Sequence, residues 1–376
     1  MIYLDHAATT PMSQTALDVY TETATRFFGN TQSLHQVGVE AAALLAHCRK
    51  QIAYFLNGEA TGVIFTSGGT ESNQLALETL LSSSTRKGKH IISTEIEHPS
   101  ILNYLEKLKK DGYEITLLPV DDKGLISLID LKQALVEETS LVTIQFVNSE
   151  IGTIQKIQEI GTLLSEQDIL FHSDCVQAFG KIPIDVVACK LDGVSISSHK
   201  LYGPLGTGAC YLNPHLNRRA TLSGGTHEMG LRPGTVSLPA IAAFTAASSD
   251  ILQIKKTEFQ RITALRNYFF EKLDPRVTII NSNENSLPHI IPLLLPNIEG
   301  QYAMISCSKQ RIMIATGSAC SIGRQKPSHV IKALGKSDAE AKTFIRISLG
   351  RHTTQEDLEK VAVVLNKLLQ RYRRNF

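Results

Sequence analysis

Between about residue 60 and residue 212, short apolar runs alternate with stretches whose apolar residues recur at helical spacing. The runs are "GVIFTS", "HIISTEI", "EITLLPV", "LVTIQFV", "DILFHSD", "GVSISS" and "GACYL". They are short, rich in Ile and Val, and separated in several places by helical patterns, which predicts strands of a largely parallel sheet buried on both faces. Near residue 213 the pattern gives way to a polar, Gly-rich stretch, "SGGTHEMGLRPGT". A long amphipathic helix is expected at about 238–273, followed by "PRVTIINS", "HIIPLLLP", "FIRISLG" and a final helix at about 354–372. The expected architecture is α/β: a large domain at 12–252 and a smaller α/β domain at 253–376, joined by an N-terminal segment, 1–11.

The 376 residues are enough for a large core and two domains. With 43% hydrophobic and 20% charged residues, the composition is that of an ordinary globular protein. The net charge of +2 gives no reason to expect a nucleic-acid or membrane-surface binder. No apolar run is long enough to span a bilayer, and "MIYLDHAATTP" lacks the pattern of a secretory signal, so a cytoplasmic location is expected. The six cysteines form no Cys-x-x-Cys pair, so free thiols are expected rather than a metal site, most of them buried as small hydrophobes. Cys320 differs. It lies in "ATGSACSIGRQKPSH", between Gly317 and Gly323, among small and polar residues that suit a loop and not a core.

Ligands in open α/β sheets bind beyond the carboxyl ends of the strands. Five candidate strands here run into polar or reactive residues: "GGTES", "EHPS", "NSE", "DCVQ" and "SHK". After the first, Gly68 and Gly69 permit a tight turn and Thr70 sits where a helix should begin, which suits phosphate and equally suits an ordinary capped helix. Asp174 could hold a cationic ring nitrogen or simply cap a helix, with Gln177 three residues on. Lys200 follows an apolar strand and two serines, and a desolvated lysine can act as an amine nucleophile. Ser197 and His199 could bond a phosphate beside it, and His98 could stack on a ring or relay protons. A phosphate cradle, a carboxylate for a ring nitrogen and a Schiff-base lysine are together the requirements of pyridoxal phosphate.

At these residues the chain resembles the cysteine desulfurases of the NifS/IscS type, fold-type-I pyridoxal-phosphate enzymes. The likeness runs from "YLDHAATTP" through "FTSGGTES", "EHPS", "NSEIGT", "HSDCVQAFGK", "SSHKLYGP", "RPGT" and "GSAC" to "FIRISLGR". The resemblance implies that Lys200 carries the cofactor, Asp174 pairs with its ring nitrogen and Gln177 bonds its phenolic oxygen. It further implies that Gly69, Thr70, Ser197 and His199 hold the phosphate, with Thr235 reaching the partner's phosphate in a homodimer. Arg346 would bind the carboxylate of L-cysteine, and Cys320 would take the sulfur as a persulfide for a sulfur-acceptor protein. No direct nucleic-acid or membrane partner is implied. The chain departs from the family at Ser149, where Asn is common near the phenolic oxygen, at Met229, where Arg is common, and in the loop after Cys320. These departures suggest a specialised branch. A selenocysteine lyase or other β-eliminating enzyme on the same scaffold is the alternative activity. A non-catalytic assembly scaffold is the alternative class.

Overall fold

The computed structural model describes residues 1–86, 88–220, 223–281, 285–317 and 327–373. The chain opens with a two-residue strand, β1 (Ile2–Tyr3), and two helices, α1 (Gln14–Arg26) and α2 (Gln36–Phe55). Strands and helices then alternate as β2 (Val63–Thr66), α3 (Gly69–Ser83), β3 (His90–Thr94), α4 (Pro99–Lys110), β4 (Glu114–Leu118), α5 (Leu128–Ala134), β5 (Thr139–Thr143), α6 (Ile157–Ser165) and β6 (Leu170–Asp174). With β7 (Gly193–Ser197) and β8 (Gly208–Leu212) they form a seven-stranded sheet of order β2-β8-β7-β6-β5-β3-β4.

Only β8 is antiparallel to its neighbours, β2 and β7. The reason is length. Residues 198–207 are too few for the crossover of a dozen or more residues that a parallel return requires. Because β8 reverses direction against both neighbours, β2 runs the same way as β3, β5, β6 and β7, and all five end at one edge. Every residue of β3, β5, β7 and β8 is buried, as expected for strands covered on both faces. β5 begins two residues before its apolar run, "LVTIQFV", and ends four residues before the end of that run. Past Thr143 the backbone leaves the regular ladder, yet Ile144 N and Phe146 N still donate to His172 O at 3.1 Å and Asp174 O at 2.9 Å.

The remaining elements are α7 (Leu238–Lys272), β9 (Thr278–Ile279), β10 (Ile290–Leu294), α8 (Gly300–Lys309), β11 (Ile312–Met313), α9 (His329–Ala333), α10 (Asp338–Lys342), β12 (Phe344–Ser348) and α11 (Gln355–Arg373). β10 is the middle strand of a small antiparallel sheet, β12-β10-β9, and β1 pairs in parallel with β11. α7 serves two cores. Ile241, Phe244 and Ile251 pack with the large sheet, whereas Ile262 and Phe269 pack with Ile345, Leu358 and Leu365. The N-terminal segment also joins both, through Leu4 in the second core and Ala7 in the first.

The Gly-rich stretch before α7 is fastened to the sheet by one buried acid. Glu228 and Met229 both hold left-handed backbone conformations, φ 49° and 57°, uncommon for residues with side chains. Glu228 is 5% exposed and accepts from Arg49 Nη1 (2.8 Å), Arg49 Nη2 (2.6 Å) and the N–H of Phe65 in β2 (2.7 Å). Glu228→Ala leaves the Arg49 guanidinium without its carboxylate, with only the carbonyl of Val63 remaining, and a strand N–H without its acceptor. It should therefore cost about 3–5 kcal/mol in urea unfolding. A loss under about 1 kcal/mol would show that the bond does not fasten this stretch.

Candidate active site

The ends of β2, β3, β5, β6 and β7 meet as the alternating pattern led one to expect, and each end places a distinct chemical group.

At the end of β2, Gly68 takes φ 148° and ψ −173°, a conformation essentially reserved for glycine. The turn delivers the chain into α3 at Gly69, and no side chain caps the helix. The first N–H groups of α3 are therefore available to an anion. Space explains the second glycine, since a Cβ on Gly69 would lie 2.8 Å from Val176 Cγ2. Ser197, at the end of β7, packs against this turn, and its buried Oγ has no partner among the described residues. Glu71 would repel an anion from the first turn, but Arg232 pairs with it at 2.9 Å. Thr70 is exposed on the same turn.

Asp174 ends β6 and is 7% exposed. Val176 N donates to Oδ1 at 3.0 Å and Asn73 Nδ2 to Oδ2 at 2.8 Å, so both oxygens are oriented. Asn73 comes from α3 and also donates to Ser100 Oγ at 2.9 Å. The glycine turn and the carboxylate are thus fixed to each other by one side chain that sequence reasoning passed over. Its spacing from Gly69, one helical turn, was the available signal.

His98 follows β3 and caps α4: Ser100 N donates to its Nδ1 at 3.2 Å. In a neutral ring that bond leaves the proton on Nε2. Burial lowers the proton affinity of His98, Asp174 opposes this, and Lys200 and His329 add to the lowering. The ring is therefore neutral near pH 7 and close enough to Asp174 and Lys200 to feel both. Beside it, Glu97 is fully buried and accepts from Thr94 Oγ1 at 2.7 Å and from Gln145 N at 3.0 Å, tying the end of β3 to the end of β5.

Lys200 lies in the 3-10 turn Ser198–Lys200 just beyond β7. Its Nζ donates to Ala7 O and Ala8 O, both at 2.7 Å. The same N-terminal segment holds the neighbouring groups. Thr10 Oγ1 donates to His199 O at 2.8 Å, and His199 Nδ1 lies 3.2 Å from Thr9 Oγ1. Burial, helped by Lys200 and Lys181, pushes His199 down to about 4, so it meets any ligand as a neutral ring. Gln177 is buried; its Nε2 donates to Ala7 O at 2.9 Å and its Oε1 has no partner among the described residues.

Arg346, in β12, is 8% exposed and comes from the small sheet. Its Nη1 donates to Ser149 O at 2.9 Å and its Nη2 to Asp5 Oδ1 at 2.7 Å, while Nε has no partner among the described residues. Ser149 thus meets Arg346 through its backbone. Asp5 is a second residue that sequence reasoning missed.

Cys320 lies outside the described residues. Ser328 Oγ donates to Glu150 Oε2 at 2.5 Å, and a Cβ on Gly317 would come within 2.7 Å of that same oxygen. Burial raises the proton affinity of Glu150. His329 Nε2 is 3.1 Å from Glu97 O, next to His98. Thr235 is exposed, and no described contact joins it to the Lys200 cluster. The cysteines at 48, 175, 189, 210 and 307 are buried and free, as anticipated. Among the described residues no helix is long and apolar enough to cross a membrane.

The aminotransferase class-V family model matches residues 2–361. A putative cysteine desulfurase NifS of Bacillus subtilis (strain 168) is 45% identical over 366 residues, 96% of this chain and 93% of the relative. Among solved structures, a NifS-like protein superimposes with a TM-score of 0.92 at 30% identity, covering 98% of this chain and 99% of the other. A structure described as SspA in complex with cysteine gives a TM-score of 0.81 at 32% identity, covering 94% of this chain and all 100% of the other. This likeness spans both sheets and the segment that holds Lys200, and the chain belongs to the aminotransferase class-V family, in its branch of NifS- and IscS-type cysteine desulfurases.

Proposed function

We propose that this protein is a pyridoxal-phosphate-dependent cysteine desulfurase that converts L-cysteine to L-alanine and holds the sulfur on Cys320 as a persulfide. One observation carries the reading: a lysine amine, an oriented carboxylate and an open helix N-terminus converge at one sheet edge. The orphaned Ser197 Oγ beside that helix and the orphaned Gln177 Oε1 are the kind of buried atoms a bound cofactor satisfies. Pyridoxal phosphate, when bound, supplies an aldehyde that condenses with amines and a ring that accepts the electron pair released at Cα.

Each residue then has a task. The N–H groups of Gly69 and Thr70, with Ser197 and His199, hold the phosphate. Asp174 keeps the ring nitrogen protonated, and Gln177 and neutral His98 address the ring and its phenolic oxygen, beside Ser149. The amine of Lys200 carries the cofactor and then moves the Cα proton of L-cysteine. Arg346 binds the substrate carboxylate, for which a planar guanidinium with an unused Nε–H is well suited. The Cys320 thiolate attacks the substrate sulfur: the S–S bond forms as the Cβ–S bond breaks, and the electron pair left on Cβ takes a proton to give the methyl group of alanine.

The reading includes a homodimer. Thr235 is exposed, which suits a role at the site of a second copy. Leu17, Tyr20, Phe28, Leu34 and Val39 are exposed apolar residues in and between α1 and α2, of the kind a partner surface covers. It also includes a cytoplasmic location, where free thiols persist, and a protein that accepts the sulfur: an iron–sulfur scaffold or client, or a thiolation enzyme.

Two variants test the proposal from opposite ends. Lys200→Ala should lose the visible absorbance of the holoenzyme and at least about 10³-fold in turnover, with no rescue in Lys200→Arg. A yellow, active Lys200→Ala protein would refute the lysine assignment. Cys320→Ser should keep the colour and bind L-cysteine, but form no persulfide by mass mapping and release almost no alanine. Normal turnover in this variant, or sulfur mapped to another cysteine, would refute the role of Cys320.

A further inference from the structure

A cavity behind Lys200 is lined by a second lysine, Lys181, together with His6, Gln177, Tyr202, Glu258 and His289. A short polar chain joins the two amines. Lys181 Nζ donates to Gln177 O at 3.3 Å, Gln177 Nε2 donates to Ala7 O at 2.9 Å, and Ala7 O also accepts from Lys200 Nζ at 2.7 Å.

The other groups facing Lys181 do not neutralise it. Glu258 spends both carboxylate oxygens on Arg261, each at 2.8 Å. Tyr202 uses its hydroxyl to accept the N–H of Arg351 at 2.6 Å, and the Arg351 guanidinium lies over its ring. Burial holds His6 near 4 and His289 near 3, so both imidazoles stay neutral. Among the described residues Lys181 has no carboxylate within 4.0 Å. Burial, and secondarily Lys200, push Lys181 itself down to about 7. Two amines that repel each other across a poorly solvated cavity each give up a proton more readily.

We propose that Lys181 is a positioning residue for Lys200: its charge, held in the shared cavity with no carboxylate partner among the described residues, favours release of the proton from the Lys200 nitrogen. The inference rests on the reading of Lys200 as the cofactor-bearing lysine. The direction is fixed by sign. Removing a neighbouring cation strengthens proton binding at Lys200, so its titration midpoint rises. Replacing the cation with an apolar side chain would by desolvation alone lower that midpoint, so a rise cannot come from lost polarity.

The test is a pH titration of the visible absorbance of the holoenzyme, with borohydride reduction and peptide mapping to locate the attached cofactor. Lys181→Met and Lys181→Gln should each raise the absorbance midpoint. Lys181→Arg, which stays charged, should hold it at or below the wild-type value. If the Met variant does not fold, the Gln variant decides. Cofactor attached to Lys200 with an unmoved or lowered midpoint in these variants would overturn this inference and leave the cofactor assignment standing. Cofactor attached to Lys181 would overturn the assignment itself.

Discussion

Most of the site hangs on a short segment at the start of the chain. A lysine amine set among buried strand ends needs acceptors, because an ammonium withdrawn from water without them is costly. The carbonyls of Ala7 and Ala8 are two of those acceptors. For them to reach Lys200, residues 4–10 must run from the core under the small sheet to the core under the large one, which Leu4 and Ala7 anchor at either end. The same passage places Asp5 on Arg346 and Thr9 and Thr10 on His199. One segment therefore sets the distance between the lysine on the large sheet and the arginine on the small one. A change in how the two sheets meet would be felt at both residues.

The electrostatic character of the edge follows from that packing. Burial keeps His98 and His199 neutral, so the positive charge near the site belongs to lysine, arginine and a helix N-terminus. Those are groups suited to phosphate and carboxylate. Asp5 and Glu71 are spent on Arg346 and Arg232, and Asp174 is held by its two oxygens between Asn73 and Val176 N. A ligand with an anionic end and a cationic ring nitrogen would find each end matched.

Much of this was legible in the sequence. Apolar runs of strand length between helical patterns gave away a buried, mainly parallel sheet, and their polar endings gave away the edge at which five strands finish. Lys200, Asp174, Ser197 and the Gly68–Gly69 turn could be placed at that edge because each directly follows or ends an apolar run. What could not be read has equally physical reasons. The reversal of β8 depends on how few residues separate it from β7, not on its apolar content. The grip of Ala7 and Ala8 on Lys200 uses backbone carbonyls, which carry no residue identity, across more than half the chain. Asp5 looked like one acid among many until β12 brought Arg346 to it. Cys320 was singled out by its setting among small and polar residues, and it lies outside the described residues.

In the proposed function the cofactor sits on Lys200, between Asp174 and the start of α3, with Lys181 behind it. A crystal structure of the holoenzyme tests this most directly. It should show density continuous from Lys200 Nζ to the cofactor, the Asp174 carboxylate on the ring nitrogen, and the phosphate against Ser197 and the N–H groups of α3. Density continuous with Lys181 instead, or a phosphate bound away from the Gly68–Gly69 turn, would contradict it.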